Sequence, residues 1–329
     1  MPEQIDLFSA LQLPHEAGGA AVPGFEWLEA ARCLPAGLRL GTSSWAYSGW
    51  TGVVYRRQAT EQLLARAGLA SYAQHPLLGA VGLDKTYYAP FSSADYRRLT
   101  KDLPANFRFL VKAHAALTTP ADAQPGASPD RFLDIDYAIE RVITPTVEGL
   151  QGRLGVILFQ FPPLSVKHVR DSGRFASAIG QFLDGLPRGP QYAVEVRNRE
   201  LLTPQYADAL ARNGVTHSFN IHPRMPDVLE QAEILGERAW LGGTVAIRWM
   251  LHPTQEYEAA RRRYFPFDRL VDPDLRSRFS MAELIVKILS RGNEVLVIAN
   301  NKAEGSAPYS LLGLAQELAR HGEFAESGE

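Results

Sequence analysis

From residue 38 onward, short apolar runs that turn polar at their C-terminal ends alternate with longer amphipathic stretches, the rhythm of repeated β-α units. Eight runs read as strands: 38–43, 80–88, 107–114, 154–161, 192–199, 215–221, 244–250 and 295–301. Helices are expected between and after them, over 59–74, 92–102, 130–149, 166–184, 203–213, 225–236, 274–291 and 307–321. Ser92-Ser93 and Thr203-Pro204 are N-terminal helix signals, and Ser280 with Glu283 reads as a capping box that could lie inside a helix already begun. Gly214 and Gly292 stand where C-terminal glycines belong. Eight such units in about 290 residues predict an α/β fold, a closed (β/α)8 TIM barrel over 38–329. Residues 1–37, rich in Ala, Gly and Pro, read as an N-terminal extension, flexible in part. The alternative is a doubly wound open sheet, but neither a G-x-G-x-x-G turn nor a G-x-x-x-x-G-K-[ST] loop is present.

The polar residues fall at the strand ends. In 156–160 only Gln160 is polar, and in 295–300 only Asn300. A barrel interior has to be filled with apolar side chains, so polar groups gather where the strands open to solvent, at the C-terminal face that hosts active sites in this architecture. Strand period two sets Glu195, Arg197 and Arg199 on one face. A carboxylate beside guanidiniums at a strand end is costly to desolvate unless paired, so a structural ion pair closing the mouth is as good a reading as a functional one. The mouth inventory leans cationic, with Lys85, Lys112, Arg197, Arg199, Arg248 and Lys302 against Asp84 and Glu195, and a focused positive field favours an anionic ligand. In this reading Lys112, Arg197, Arg199 and Arg248 hold negative charge, while Gln160, Asn300 and Asn301 orient the substrate. Asp84 or Glu195 serves as catalytic base, provided burial or a like charge raises its pKa. His114 and His217 could be acid–base groups, though satisfied structural histidines are commoner. The segment 251–273 interleaves Tyr257, Arg261, Arg262, Arg263, Tyr264, Phe265, Phe267 and Arg269. That mixture suits phosphate contact and base stacking, but an amphipathic helix with a solvated arginine face is the favoured account.

Composition narrows the classes. Lys+Arg total 34 and Asp+Glu 36, a net charge of −2, which argues against a globally basic nucleic-acid wrapper but not against a local basic patch. No run approaches the roughly 18 apolar residues of a membrane span, and the N-terminus lacks a secretory pattern, so a cytoplasmic protein is expected. Cys33 is the single cysteine, which excludes an intrachain disulfide and any Cys-based zinc cluster. No H-E-x-x-H or comparable spacing assigns a metal, and nothing identifies a cofactor.

Taken together the motifs resemble the YecE-like family, a widespread group of uncharacterised bacterial and archaeal TIM barrels. The matching segments are Leu40-Gly41-Thr42-Ser43-Ser44-Trp45 with Tyr47 and Trp50; Thr86-Tyr87-Tyr88; Phe107-Arg108-Phe109 with Val111-Lys112-Ala113; Leu154-Gly155 with Leu158-Phe159-Gln160 and Pro162-Pro163; Ala193-Val194-Glu195 with Arg197 and Arg199; Arg248; and Asn300-Asn301 with Gly305 and Ala307. The resemblance spans about 38–320. It implies a barrel with the motif residues at its mouth, but no established reaction. Three departures stand out. Gly82 and Asp84 occupy the places of a usual Glu-x-Asn, Met250-Leu251 those of a His-Gly pair, and Asn198 that of a His between arginines.

A second signal lies in the tail. Gln4-Ile5-Asp6-Leu7-Phe8 resembles the pentapeptide by which bacterial replication and repair proteins dock on the DNA sliding clamp, with Leu7 and Phe8 filling an apolar pocket and Gln4 hydrogen-bonding. The alternative is an apolar segment that caps the barrel. The expected function is binding of an anionic, phosphate-bearing or nucleic-acid-derived substrate at the mouth, with phosphate-ester hydrolysis in DNA metabolism as the leading chemistry. The alternatives are a non-catalytic nucleotide or nucleic-acid binder, a clamp-docking adaptor, and a carbohydrate-type isomerase.

Overall fold

The computed structural model describes residues 17–120 and 131–326. Nine parallel strands run β1 (Leu38–Thr42), β2 (Ala80–Leu83), β3 (Arg108–Lys112), β4 (Leu154–Gln160), β5 (Tyr192–Glu195), β6 (Thr216–His217), β7 (Phe219–Ile221), β8 (Val245–Trp249) and β9 (Val295–Ala299). Their order is β6-β5-β4-β3-β2-β1-β9-β8-β7. The sixth expected strand is thus two pieces, separated by Ser218 alone. One piece pairs with β5 and the other with β8, so the ring of eight closes through a single residue. The architecture is the expected (β/α)8 barrel.

The core divides as period two requires. Ala80, Leu110, Val156, Leu158, Ala193, Ala246, Leu296 and Ile298 form an apolar cluster of their own inside the ring. The alternate residues, such as Val81, Phe109, Ile157, Phe159, Val194 and Ile247, belong to the larger layer between strands and helices. Following each interior column two residues at a time toward the C-terminal end leads from Leu110 to Lys112, from Leu158 to Gln160, from Ala193 to Glu195, from Ala246 to Arg248 and from Ile298 to Asn300. The packed interior therefore aims the polar strand ends at one place.

The helices end where local chemistry says they should. Ser92 and Asp95 form a reciprocal capping box on Ser93–Thr100, and Thr203 Oγ1 accepts from Tyr206 N ahead of Pro204–Arg212. Gly214 and Gly292 adopt φ of +64° and +77°, the left-handed region that glycine enters without penalty. Ser280 lies inside the helix Leu275–Leu289, which Asp274 caps, and its hydroxyl donates to Asp227 at 2.9 Å. A helix, Phe25–Arg32, forms within the N-terminal extension and buries Trp27 and Ala30, with the Trp27 ring edge-on to His75 at 4.9 Å. In the 251–273 segment the helix Tyr257–Tyr264 buries Ala260 and Tyr264 and leaves Arg261, Arg262 and Arg263 exposed, the amphipathic arrangement. Among the described residues no helix is long and apolar enough to cross a membrane.

Candidate functional site at the barrel mouth

Glu195 ends β5 and is fully buried. Its Oε1 accepts from Arg197 at 2.5 Å and its Oε2 from Arg248 Nη1 at 3.0 Å. Arg248, on β8 and 2 % exposed, extends its other terminal nitrogen to Asp84 Oδ1 at 3.1 Å. One chain of charge thus links β5, β8 and the end of β2. Burial alone pushes the Glu195 carboxyl up, but the guanidiniums of Arg197 and Arg248 outweigh it and hold the group down at about 2. The condition set for Glu195 as a base is therefore not met. A carboxylate with both oxygens engaged and so low a pKa has almost no tendency to take a proton near neutrality. Glu195 is an anchor that fixes two arginines.

Lys112 ends β3, with its ammonium 3.6 Å from the centre of the Tyr87 ring. Thr86 Oγ1 lies 2.6 Å from both the Leu83 and Lys112 carbonyl oxygens, which ties the exits of β2 and β3 together. Lys302 follows β9 and stands 4.6 Å from the centre of the Tyr257 ring. Burial lowers both lysines to about 8; Arg248 adds to the effect at Lys112, and Arg261 at Lys302. Among the described residues neither amine has a carboxylate within 4.0 Å. Asn300 donates to Ser43 Oγ at 2.8 Å and accepts from Lys302 N at 3.0 Å, so it orders the exits of β1 and β9.

A cavity of about 260 Å3 opens beside this charge chain, over the ends of β1, β2 and β9. Its polar lining is Ser43, Ser44, Asp84, Lys85, Asn300 and Lys302, with Tyr47, Tyr88, Phe91 and Tyr257 as its aromatic walls and Gly82 in its wall as well. Burial, reinforced by Asp84, raises Tyr47 to about 12, so its hydroxyl stays protonated. Ser43, Tyr47, Tyr88, Tyr257 and Lys302 have no site role in sequence reasoning and lie outside the strands. Lys302 counts there among the cations of the mouth, Ser43, Tyr47 and Tyr88 belong to the family motifs, and Tyr257 to the aromatic and arginine segment.

Not every expected residue joins the mouth. Arg199 is a correction. The strand stops at Glu195, and Arg199 begins a short 3-10 turn, is largely exposed and pairs with Glu230 at 2.5 Å. Period two fails once the strand ends. Asn301 has the opposite parity to Asn300. Its Oδ1 accepts from Trp50 Nε1 at 3.2 Å and from Ala307 N at 2.8 Å, a structural clamp at the start of the last helix. Gln160 does sit beside Glu195, its register partner, at the end of β4. His217 is buried on the far side of the strands between Tyr206 and Gln231, at 3.1 and 3.3 Å, and burial lowers it to about 4. His114 lies 2.9 Å from Tyr137 Oη, and burial lowers it as well. His222 follows β7 and is lowered to about 4 by burial and by Arg197. Of the departures, Asn198 staples the loop after β4 by exchanging hydrogen bonds with Leu164 at 2.7 and 3.2 Å. Leu251 packs with Ala260, Tyr264 and Phe267. Gln4, Leu7 and Phe8 lie outside the described residues.

Fold and site together define a (β/α)8-barrel protein with a polar, cation-rich mouth. The family described as a protein of unknown function, DUF72, matches residues 39–328, and the chain belongs to it, in keeping with the YecE-like motifs. Among solved structures, a DUF72 family protein from Enterococcus faecalis V583 aligns with a TM-score of 0.57 at 18% identity, covering 85% of this chain and 95% of that one. A DUF72 family protein from Thermotoga maritima MSB8 aligns with a TM-score of 0.56 at 21% identity, covering 85% and 98%. At such identities the likeness establishes the fold alone. No curated protein matches the chain.

Proposed function

We propose that the barrel mouth binds an anionic, phosphate-bearing ligand, a sugar phosphate or a nucleotide-derived group. The observation that carries this reading is the imbalance of charge. Lys85, Lys112, Arg197, Arg248 and Lys302 face two carboxylates, and Glu195 and Asp84 are already engaged by the arginines. Three ammonium groups are then left without a carboxylate partner among the described residues, two of them desolvated enough to shift to about 8. An anion in the adjoining cavity would restore balance in a site where desolvated charge pairs interact strongly. The aromatic walls suit a flat or ring-shaped remainder.

Binding is better supported than cleavage. With Glu195 locked, phosphate-ester hydrolysis would have Asp84 as its base, the one carboxylate lining the cavity among the described residues. Calorimetric titration with inorganic phosphate and with ribose 5-phosphate tests the reading. Saturable binding that weakens with added salt and in an Arg248→Met variant supports it; no heat and no salt-sensitive binding for either probe overturns it. Release of p-nitrophenol from p-nitrophenyl phosphate, lost in Asp84→Asn, would add the hydrolytic step.

A further inference from the structure

The chain is sparing with lysine. Of its 34 basic residues only 6 are lysine, at 85, 101, 112, 167, 287 and 302. Half of them, Lys85, Lys112 and Lys302, follow or end strands at the barrel mouth. Elsewhere the chain meets its need for positive charge almost entirely with arginine. A guanidinium holds a phosphate at least as well as an ammonium does, often in two-pronged fashion, but it cannot give up its proton and become a nucleophile. Lysine kept at the mouth of a chain that otherwise uses arginine points to amine chemistry rather than charge alone.

Lys302 is the lysine best placed for it. It lines the cavity and is 7 % exposed. Its backbone is clamped at both ends, N–H to Asn300 Oδ1 at 3.0 Å and carbonyl oxygen accepting from His252 N at 2.9 Å. Asp84 lines the same cavity, with Oδ1 held by Arg248 and Oδ2 without a hydrogen bond among the described residues. We propose that Lys302 is a carbonyl-capturing amine, which condenses with the ketone or aldehyde group of a phosphorylated carbonyl compound to form an imine. The proposal rests on the anion-binding reading and names the substrate class of that same site.

The step balances without an oxidant or reductant. The neutral Lys302 nitrogen attacks the carbonyl carbon, a C–N bond forms, and the C=O π pair moves onto oxygen. The nitrogen loses a proton and the oxygen gains one, giving a carbinolamine. The C–O bond then breaks as the hydroxyl takes up a second proton and leaves as water, the nitrogen lone pair forms the C=N bond, and the nitrogen gives up its remaining proton, so that both amine protons end in the water. Asp84 is the proton carrier, taking each proton from nitrogen and passing it to oxygen. Burial and Arg261 favour the neutral amine, while Asp84 and Glu258 oppose them; the balance, near 8, leaves a reactive fraction at neutral pH. Lys85, which lines the same cavity, remains as the cation for the phosphate.

The test is reductive trapping. The full-length protein is incubated with dihydroxyacetone phosphate and sodium cyanoborohydride, and the modified peptide is located by mass spectrometry. Binding of the same compound is measured in parallel by calorimetry. One reduced adduct per chain on Lys302, absent from Lys302→Arg and weak with unphosphorylated dihydroxyacetone, supports the inference. Binding without an adduct, or an adduct spread over Lys101, Lys167 and Lys287, overturns the amine role while leaving anion binding intact. Absence of both binding and adduct overturns the two together. Far-UV circular dichroism and the melting temperature of Lys302→Arg report whether the variant is folded.

Discussion

Replacing Glu195 by glutamine removes the negative charge that Arg197 and Arg248 share. Both guanidiniums are buried, at 8 % and 2 % exposure, and Glu195 is the carboxylate joining them. Removing one partner of a buried ion pair costs about 3–5 kcal/mol, because the remaining charge stays desolvated without compensation. Arg248 retains Asp84, so the lower half of that range is expected. The pairing that holds the Glu195 carboxyl down from 4.5 to about 2 corresponds, at 1.36 kcal/mol per unit, to about 3 kcal/mol, the same order. For a chain of 329 residues, with an unfolding entropy of about 2.1 cal/mol/K per residue, the melting temperature should fall by about 4–5 °C at neutral pH.

The sign of the pH dependence is fixed. Because the carboxyl is depressed in the folded state, its contribution is complete above pH 4.5 and is lost as pH falls toward 2. Thermal melts of wild type and Glu195→Gln across this range should show a constant gap down to about pH 4.5 and convergence below it. A gap of less than about one degree at neutral pH, or one that does not close in acid, would refute the account of Glu195 as the anchor of the two arginines.

Other expectations can be checked alongside. Inorganic phosphate should bind more weakly as pH rises through about 8, where Lys112 and Lys302 lose their protons, and calorimetry over that range measures it. Gly82→Leu should fill the cavity and cost at least about tenfold in phosphate affinity with little change in melting, since a β-carbon there meets Ile298 Cγ2 at a tight but tolerable 3.2 Å. Gly41→Ala, by contrast, would place a β-carbon 2.1 Å from the Ala80 carbonyl oxygen and should destabilise the β1–β2 pairing by about 3 kcal/mol, read from urea unfolding. For the tail, a pull-down with purified bacterial sliding clamp should recover wild type and lose Leu7→Ala/Phe8→Ala; equal recovery would end the docking idea.

The barrel was legible because its two constraints act locally. Period two and the need for an apolar interior show directly as Leu110-x-Lys112, Leu158-x-Gln160 and Ile298-x-Asn300, so strand ends could be assigned to the mouth from spacing alone. That reasoning holds only while the chain remains a strand. It failed at Arg199, four residues past the end of β5, and at Asn301, one residue out of phase with Asn300. Glu195 misled for another reason. Its neighbour Arg197 was visible two residues away, but the group that completes its locking, Arg248, lies 53 residues further on, and which oxygen meets which nitrogen is decided by closure of the ring. Whether a buried carboxyl is raised or lowered depends on such long-range pairing and not on the residue type.

The same pairing determines where chemistry can take place. The side of the mouth above β5 and β8 is occupied by ion pairs whose members are buried and hold one another, while Asn198 draws in the loop after β4 and Leu251 fills the exit of β8 with apolar contacts. Beyond β7 and β8 a cavity lies between Ile221, His222, Met225 and His252, and another opens over β1, β2 and β9. On that side the titratable groups lining the cavity are Asp84, Lys85, Lys302 and the tyrosines Tyr47, Tyr88 and Tyr257. Of these, Tyr47 is held near 12 and Tyr88 is raised, both by burial first of all. In the reading proposed above, Asp84 and Lys302, which line that cavity, act as the acid–base pair beside the fixed arginines. The same reading makes the arginine cluster, which looks most like an active centre in the sequence, the scaffold, and gives the chemistry to the groups on its open flank.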